Sequence, residues 1–264
     1  MMFRDLVWRV IGLASEMRAK RVDGSRPSLS MSRLRRAARD VLLAVCGSLA
    51  LAAGQARAGS MTFHVESLET GACGARCPHV IVAEGVIEED TPQAFVDFLR
   101  QGGPDANLRR IVFFNSRGGN VVASMIFGHI LRELKVVGVV GRLESGSPYA
   151  GECMSACVYA LMGAVRRVAP PGSQVALHRM SIVETESVAE DRIGGGGRYD
   201  PPSASVRVTR SFADQSMVAV LKRYAQRMGV SPALVGAAES LAPDTVHVLS
   251  RGEMRRWSFA ASQL

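Results

Sequence analysis

The stretch RIVFFNSRGGNVVASMIFGHILRELKVVGVVGR, residues 110–142, decides the fold. It opens on an apolar run, RIVFFNS (110–116), and turns at Gly118-Gly119. Helical spacing follows through NVVASMIFGHILREL (120–134), and a second apolar run, VVGVVGR (136–142), closes it. Two strands apolar throughout and joined by a helix predict a crossover unit whose parallel strands are covered on both faces. The pattern recurs upstream, where HVIVAEGVI (79–87) is a β-branched run and TPQAFVDFLRQ (91–101) a helix with Thr91 as N-cap and Pro92 in its first turn. Downstream, RRVAPPGSQVALHRM (166–180) gives two short strands around a Pro-Pro-Gly turn. SFADQSMVAVLKRYAQRMG (211–229) and SPALVGAAESL (231–241) are helices, and VHVLSRGEMRRWSFA (246–260) is a closing strand and helix. The expectation is an α/β domain with a mainly parallel sheet and a C-terminal helical portion.

The chain has 264 residues, 47% of them hydrophobic, enough for a full core. Its net charge of +8 suggests nucleic acid until the distribution is read. Residues 1–58 carry 11 Lys+Arg and 4 Asp+Glu (+7), leaving 21 basic and 20 acidic groups (+1) for the remainder. The basic excess thus belongs to the leader, and no nucleic-acid partner is expected of the domain. MSRLRRAARD (31–40) reads as a positive n-region, VLLAVCGSLALAAG (41–54) as an apolar h-region and Ala56-Arg57-Ala58 as a cleavage site. An exported, periplasmic domain beginning at Gly59 is expected, with Met31 as the start of translation. The apolar stretch of 14 residues is short of the roughly 20 that span a bilayer, so membrane contact would come only through an uncleaved leader.

Removing the leader removes Cys46 and leaves Cys73, Cys77, Cys153 and Cys157 in two Cys-x-x-x-Cys pairs. An even count in an exported chain favours disulfides, with the local pairs preferred among three connectivities. The competing reading of CGARCPH as a zinc site through Cys73, Cys77 and His79 lacks a second ligand pair. Residues 181–205 change character, with acidic SIVETESVAED, then GGGG, then YDPPSAS. They read as a mobile loop beside the site rather than a phosphate loop, since no strand precedes the glycines and no Gly-Lys-Ser/Thr follows.

The chemistry concentrates in three places. GECMSACVYALMG (151–163) puts Ser155 among small residues at a helix start, VALHRM (175–180) puts His178 at a strand end, and the Gly118-Gly119 turn frees backbone N–H groups. A serine hydroxyl needs a base, and histidine serves near neutral pH; glycine-turn and helix-start N–H groups would receive the oxyanion. Taken singly, Ser155 is a small packing residue and His178 a core histidine; in combination they read as a catalytic pair. No cofactor motif accompanies them.

These segments resemble the proteolytic subunit of the Clp protease and, more widely, the crotonase-like superfamily, over roughly residues 79–260. The resemblance implies repeated β-β-α units, Ser155 as nucleophile, His178 as general base, and Gly119 and Ala156 as oxyanion donors. Closer still is a set of extracytoplasmic Clp-like proteins whose serine sits in a Cys-x-Ser-Ala-Cys frame, as Cys153, Ser155 and Cys157 do here. Two positions depart from the pattern. Arg117 replaces a proline in the glycine turn, and Val246 stands where the triad aspartate is expected. Asp244, two residues earlier in the turn APDT, is the nearest acid and the third-member candidate; a Ser-His dyad oriented by a carbonyl or water is the alternative. The resulting expectation is an exported, ATP-independent serine peptidase taking peptides or unfolded chains, with self-association left open. A non-catalytic binding or scaffold protein of the same fold, and crotonase-type acyl-CoA chemistry, are the competing readings.

Overall fold

The computed structural model describes residues 59–69, 73–102, 105–189 and 204–259. The leader expected over 1–58 lies outside them. The chain enters as strand β1 (Thr62–Ser67), antiparallel to β2 (His79–Glu84). Helix α1 (Thr91–Gln101) leads to β3 (Leu108–Asn115), and helix α2 (Val121–Glu133) to β4 (Val137–Val140). A small hairpin, β5 (Arg142–Glu144) and β6 (Ser147–Tyr149), precedes β7 (Glu152–Met154), which runs into helix α3 (Ala156–Met162). Strands β8 (Arg166–Val168) and β9 (Gln174–Leu177) follow, then a ribbon of β10 (Ser181–Ala189) and β11 (Ala204–Phe212). Helices α4 (Gln215–Arg227) and α5 (Ala233–Glu239), the short strand β12 (His247–Val248) and helix α6 (Arg251–Arg256) close the described chain.

The main sheet has the order β1-β2-β3-β4-β8 and is parallel from β2 to β8. A second layer has the order β12-β9-β7, with β7 and β9 parallel. Single parallel bridges, Ile87 to Gly119 and Ser116 to Cys153, extend this layer across the ends of β2 and β3. Each unit therefore runs from a main-sheet strand to a second-layer strand or bridge and on to a helix, as in β4-β7-α3 and β8-β9-α4. The mixed α/β architecture and its mainly parallel sheet are those expected from sequence.

Both faces of the main sheet are apolar because the strands alternate. Ile81, Ala83, Val112, Phe114 and Val140 join the large helix-side core, while Val80, Val82, Phe113, Val139 and Val168 form a smaller cluster with Leu143. Helices α2 and α3 meet through backbone. A Cβ on Gly163 would lie 2.0 Å from the Gly128 carbonyl oxygen, and one on Gly128 would lie 1.9 Å from the Tyr224 hydroxyl. That hydroxyl donates to the Tyr159 carbonyl at 2.8 Å, tying α4 to α3. Below the crossing, Arg132 and Arg167 donate to helix-end carbonyls. Both reach those of Met162 and Met228, and Arg167 also reaches Ala164, Ser258 and Phe259. Cations suit the negative ends of helices. Burial, and then the charge of Arg132, push the Arg167 guanidinium down to about 10, so it stays charged at neutral pH.

Local differences from the sequence reading have local causes. Asp90, not Thr91, is the N-cap of α1; the Thr91 hydroxyl instead accepts the Glu88 N–H at 2.8 Å. Helix α4 starts four residues later than expected because 211–212 complete β11, and Asp214 caps it by accepting the Met217 N–H at 2.7 Å. Both ends of the segment expected as a loop over 181–205 are strands, paired from Ser181 with Phe212 to Ala189 with Ala204. Its glycine run lies outside the described residues.

Gly163→Ala is expected to destabilise the domain by about 3 kcal/mol, because backbone must separate at the crossing. Gly236→Ala, in α5 with open space around its Cα, should be neutral or slightly stabilising. Urea unfolding midpoints check the contrast.

Candidate active site

Strand β7 ends and α3 begins with one residue between them, Ser155, at φ 54° and ψ −123°. Such a positive φ is costly for a residue with a Cβ, and persists only where surroundings enforce it. Two enforcing contacts are clear. The Ser155 N–H donates to the Ala176 carbonyl at 2.9 Å, continuing the β7/β9 pairing past the end of β7. A disulfide joins Cys153 to Cys157 across the serine, with both sulfur-bearing residues fully buried. The turn thus presents Ser155 half-exposed at the end of the second layer.

The glycine turn packs against this corner. Gly118, at φ 102°, leaves so little room that a Cβ there would lie 2.8 Å from both the Ala156 nitrogen and the Ser155 Cβ, and 2.6 Å from the Met154 carbonyl oxygen. Gly119, at φ 137°, lies against the Ile87 carbonyl, 2.1 Å from where its Cβ would be. Only glycine satisfies both positions. The buried Ser116 hydroxyl accepts the Gly118 N–H at 3.1 Å and braces the turn from within. Among the described residues, the N–H groups of Gly119 and Ala156 donate to no protein acceptor. At the rim, Arg117 pairs with Glu152 at 3.0 Å.

His178 follows β9 directly. Since Met154 pairs with Ala176, the register carries Ser155 opposite Leu177, beside His178. The imidazole Nδ1 lies 2.7 Å from the Arg179 carbonyl oxygen. That oxygen accepts only if Nδ1 carries the proton, so Nε2 is the basic nitrogen. No hydrogen bond joins Ser155 Oγ to the ring among the described residues. Apo sites commonly show such loose geometry.

The acids divide differently from the sequence expectation. Asp244 is 74% exposed and its carboxylate takes the Arg210 guanidinium. Val246, the position of the expected aspartate, stands one register step before His247, which pairs with Leu177. It therefore faces His178 with an apolar, exposed side chain. The acid bonded to the turn that follows the histidine is Glu239, the last residue of α5, half-buried and accepting the Met180 N–H at 3.3 Å. Its carboxyl is raised above the ordinary range by burial, against the lowering influence of the Met180 N–H, Arg179 and His178. Sequence reasoning missed Glu239 because its distance along the chain from His178 leaves no local signal.

The other cysteine pair, Cys73 with Cys77, is also a disulfide. Those sulfurs are therefore not available as thiolate ligands, and His79 instead places Nδ1 2.6 Å from Asp105. The zinc alternative for CGARCPH falls on these grounds.

No family model and no curated protein matches this sequence. Among solved structures it is similar to a serine-to-alanine mutant of the 1510-N membrane-bound stomatin-specific protease, at 14% identity and a TM-score of 0.41, over 67% of this chain and 74% of that one. A lysine-to-alanine mutant of that protease in complex with a substrate peptide gives 14% identity and a TM-score of 0.38, over 66% of this chain and 67% of that one.

Ser155→Gly and Ser155→Ala both remove the hydroxyl, but only glycine relieves the positive φ. The glycine variant is expected to be the more stable of the two by about 1 kcal/mol in urea unfolding, the strain outweighing glycine's entropy. A less stable glycine variant would show that Ser155 is unstrained.

Proposed function

We propose that this protein is an exported serine hydrolase of the Clp-like and crotonase-like kind, acting on peptides or unfolded chains without ATP. The observation that carries the reading is Ser155 held at positive φ between β7 and α3, with its N–H on β9 two residues before His178 and Gly118 packed on its Cβ. A small packing residue has no need of that backbone, whereas a nucleophile that must project its hydroxyl from a rigid turn does.

In the proposed step, Ser155 Oγ attacks a substrate carbonyl carbon while its proton passes to His178 Nε2. The carbonyl π pair moves onto oxygen, between the N–H groups of Gly119 and Ala156. Collapse expels the amine, which takes the proton from His178, and water repeats the sequence to release the acyl group. Each oxyanion donor is worth about 10²- to 10³-fold in rate. The two disulfides suit an oxidising compartment, and no helix among the described residues is long and apolar enough to cross a membrane. The charge and patterning of 1–58 support a mature chain that begins at Gly59. The competing reading, a scaffold with this fold, draws on the pairing of Asp244 with Arg210.

A fluorophosphonate probe is expected to modify the exported protein once, at Ser155, with the intact mass beginning at Gly59 and no thiol free to alkylation. Ser155→Ala should abolish labelling. His178→Ala should reduce it by at least about 10²-fold, and the double variant should, like Ser155→Ala, take up no label. Absence of labelling in the folded wild type would leave the scaffold reading.

A further inference from the structure

We propose that Glu239 is the acidic positioning residue of the Ser155 site, holding the His178–Met180 turn through the Met180 N–H and placing a negative charge beside the imidazole as it takes up the serine proton. The inference rests on the serine hydrolase reading above.

Among the described residues, three positions near the histidine turn bear on this role. The position opposite His178 by register, one residue before β12, is Val246, 57% exposed and without a charge to offer. Asp244, two residues away, is turned to the surface by Arg210. Glu239 stands at the end of α5, whose Leu234, Val235 and Ala238 are buried in the main core and hold the helix in place. Its Oε1 is bonded to the Met180 N–H, so the turn that carries His178 and Arg179 is bounded by β9 at one end and by this carboxylate at the other. Met180 is further tied to the ribbon, its carbonyl accepting the Ala213 N–H at 3.4 Å.

The groups facing the carboxylate are the His178 imidazole, the Arg179 guanidinium, the Met180 N–H and, from α3, the buried Tyr159. Arg179, stacked 4.3 Å over the Phe212 ring, shares the field of the carboxylate with the imidazole. When Ser155 Oγ bonds to the substrate carbon and its proton moves to Nε2, the ring becomes an imidazolium, with Nδ1–H still on the Arg179 carbonyl. Glu239 takes no proton in this step; it lowers the energy of the cation by Coulombic attraction in a half-buried setting. Because burial raises its carboxyl above the ordinary range, Glu239 loses its charge at a higher pH than an exposed glutamate does. The assistance is therefore present above that range and lost as pH falls through it.

The test compares fluorophosphonate labelling rates at Ser155, and hydrolysis of a p-nitrophenyl ester, for the full chain and its variants between about pH 4 and pH 8. Glu239→Gln keeps an acceptor for the Met180 N–H and removes only the charge. It is expected to slow both reactions on the order of 10- to 100-fold at neutral pH, in kcat rather than KM. Its deficit relative to wild type should shrink toward acid pH, and its urea midpoint should stay close to wild type. Glu239→Asp, with the charge on a shorter arm, should label faster than Glu239→Gln, and Asp244→Asn should be impaired less than Glu239→Gln. The proposal is overturned if Glu239→Gln reacts at the wild-type rate throughout, if its deficit does not vary with pH, if Glu239→Asp and Glu239→Gln react alike, or if Asp244→Asn is the slower variant. A folded wild type that is not labelled at Ser155 defeats the hydrolase reading and this inference together. A labelled wild type indifferent to residue 239 defeats this inference alone.

Discussion

The site depends on backbone meeting backbone at Gly118. The end of β3, the start of α3 and the second layer converge there, with the Ala156 nitrogen and the Met154 carbonyl both too close for any side chain at position 118. The consequences run outward in order. The glycine pair lets the turn bridge Ile87 through Gly119 while Ser116 bridges Cys153, and these two bridges set the second layer across the ends of the main strands. The layer in turn pairs β7 with β9 and so brings Ser155 and His178 to one corner. A single Cβ at 118 would push α3 off this corner, and the strand register that positions the histidine would go with it.

Rigidity behind the corner has a different origin. Helix α3 is buried along its whole length and abuts α2 without side chains at Gly128 and Gly163. Its C-terminal end is fastened by Arg132 and Arg167, which collect carbonyls that would otherwise be orphaned at helix ends. At its N-terminal end the disulfide between Cys153 and Cys157 restricts the turn that holds Ser155. A strained residue between two fixed elements can keep a conformation that would relax in a loose loop. In this arrangement the packing that stabilises the domain also maintains the serine geometry.

Much of this was legible in the sequence, and the part that was not has a physical explanation. Apolar strands alternating with helices in 79–142 gave the parallel crossovers, because burial on both faces requires that composition. The Gly118-Gly119 turn, Ser155 and His178 were visible because each sits at a boundary between elements, where local chemistry marks the residue. The ribbon of β10 and β11 was obscured by the acidic and glycine-rich composition of 181–205, which reads as loop although strand pairing needs only backbone. Asp244 attracted attention through its nearness in sequence to Val246, yet a left-handed turn at φ 66° directs it toward Arg210. Glu239 carries no local mark at all; only the packing of α5 on the core brings it to Met180.

The most direct measurement of the central claim is a crystal structure of the protein soaked with a peptide boronic acid. The account predicts a covalent bond from boron to Ser155 Oγ, with one boronate oxygen roughly 2.7 to 3.1 Å from the backbone nitrogens of Gly119 and Ala156 and His178 turned toward the adduct through Nε2. An unmodified Ser155, or an adduct whose oxygens point away from those two nitrogens, would contradict it.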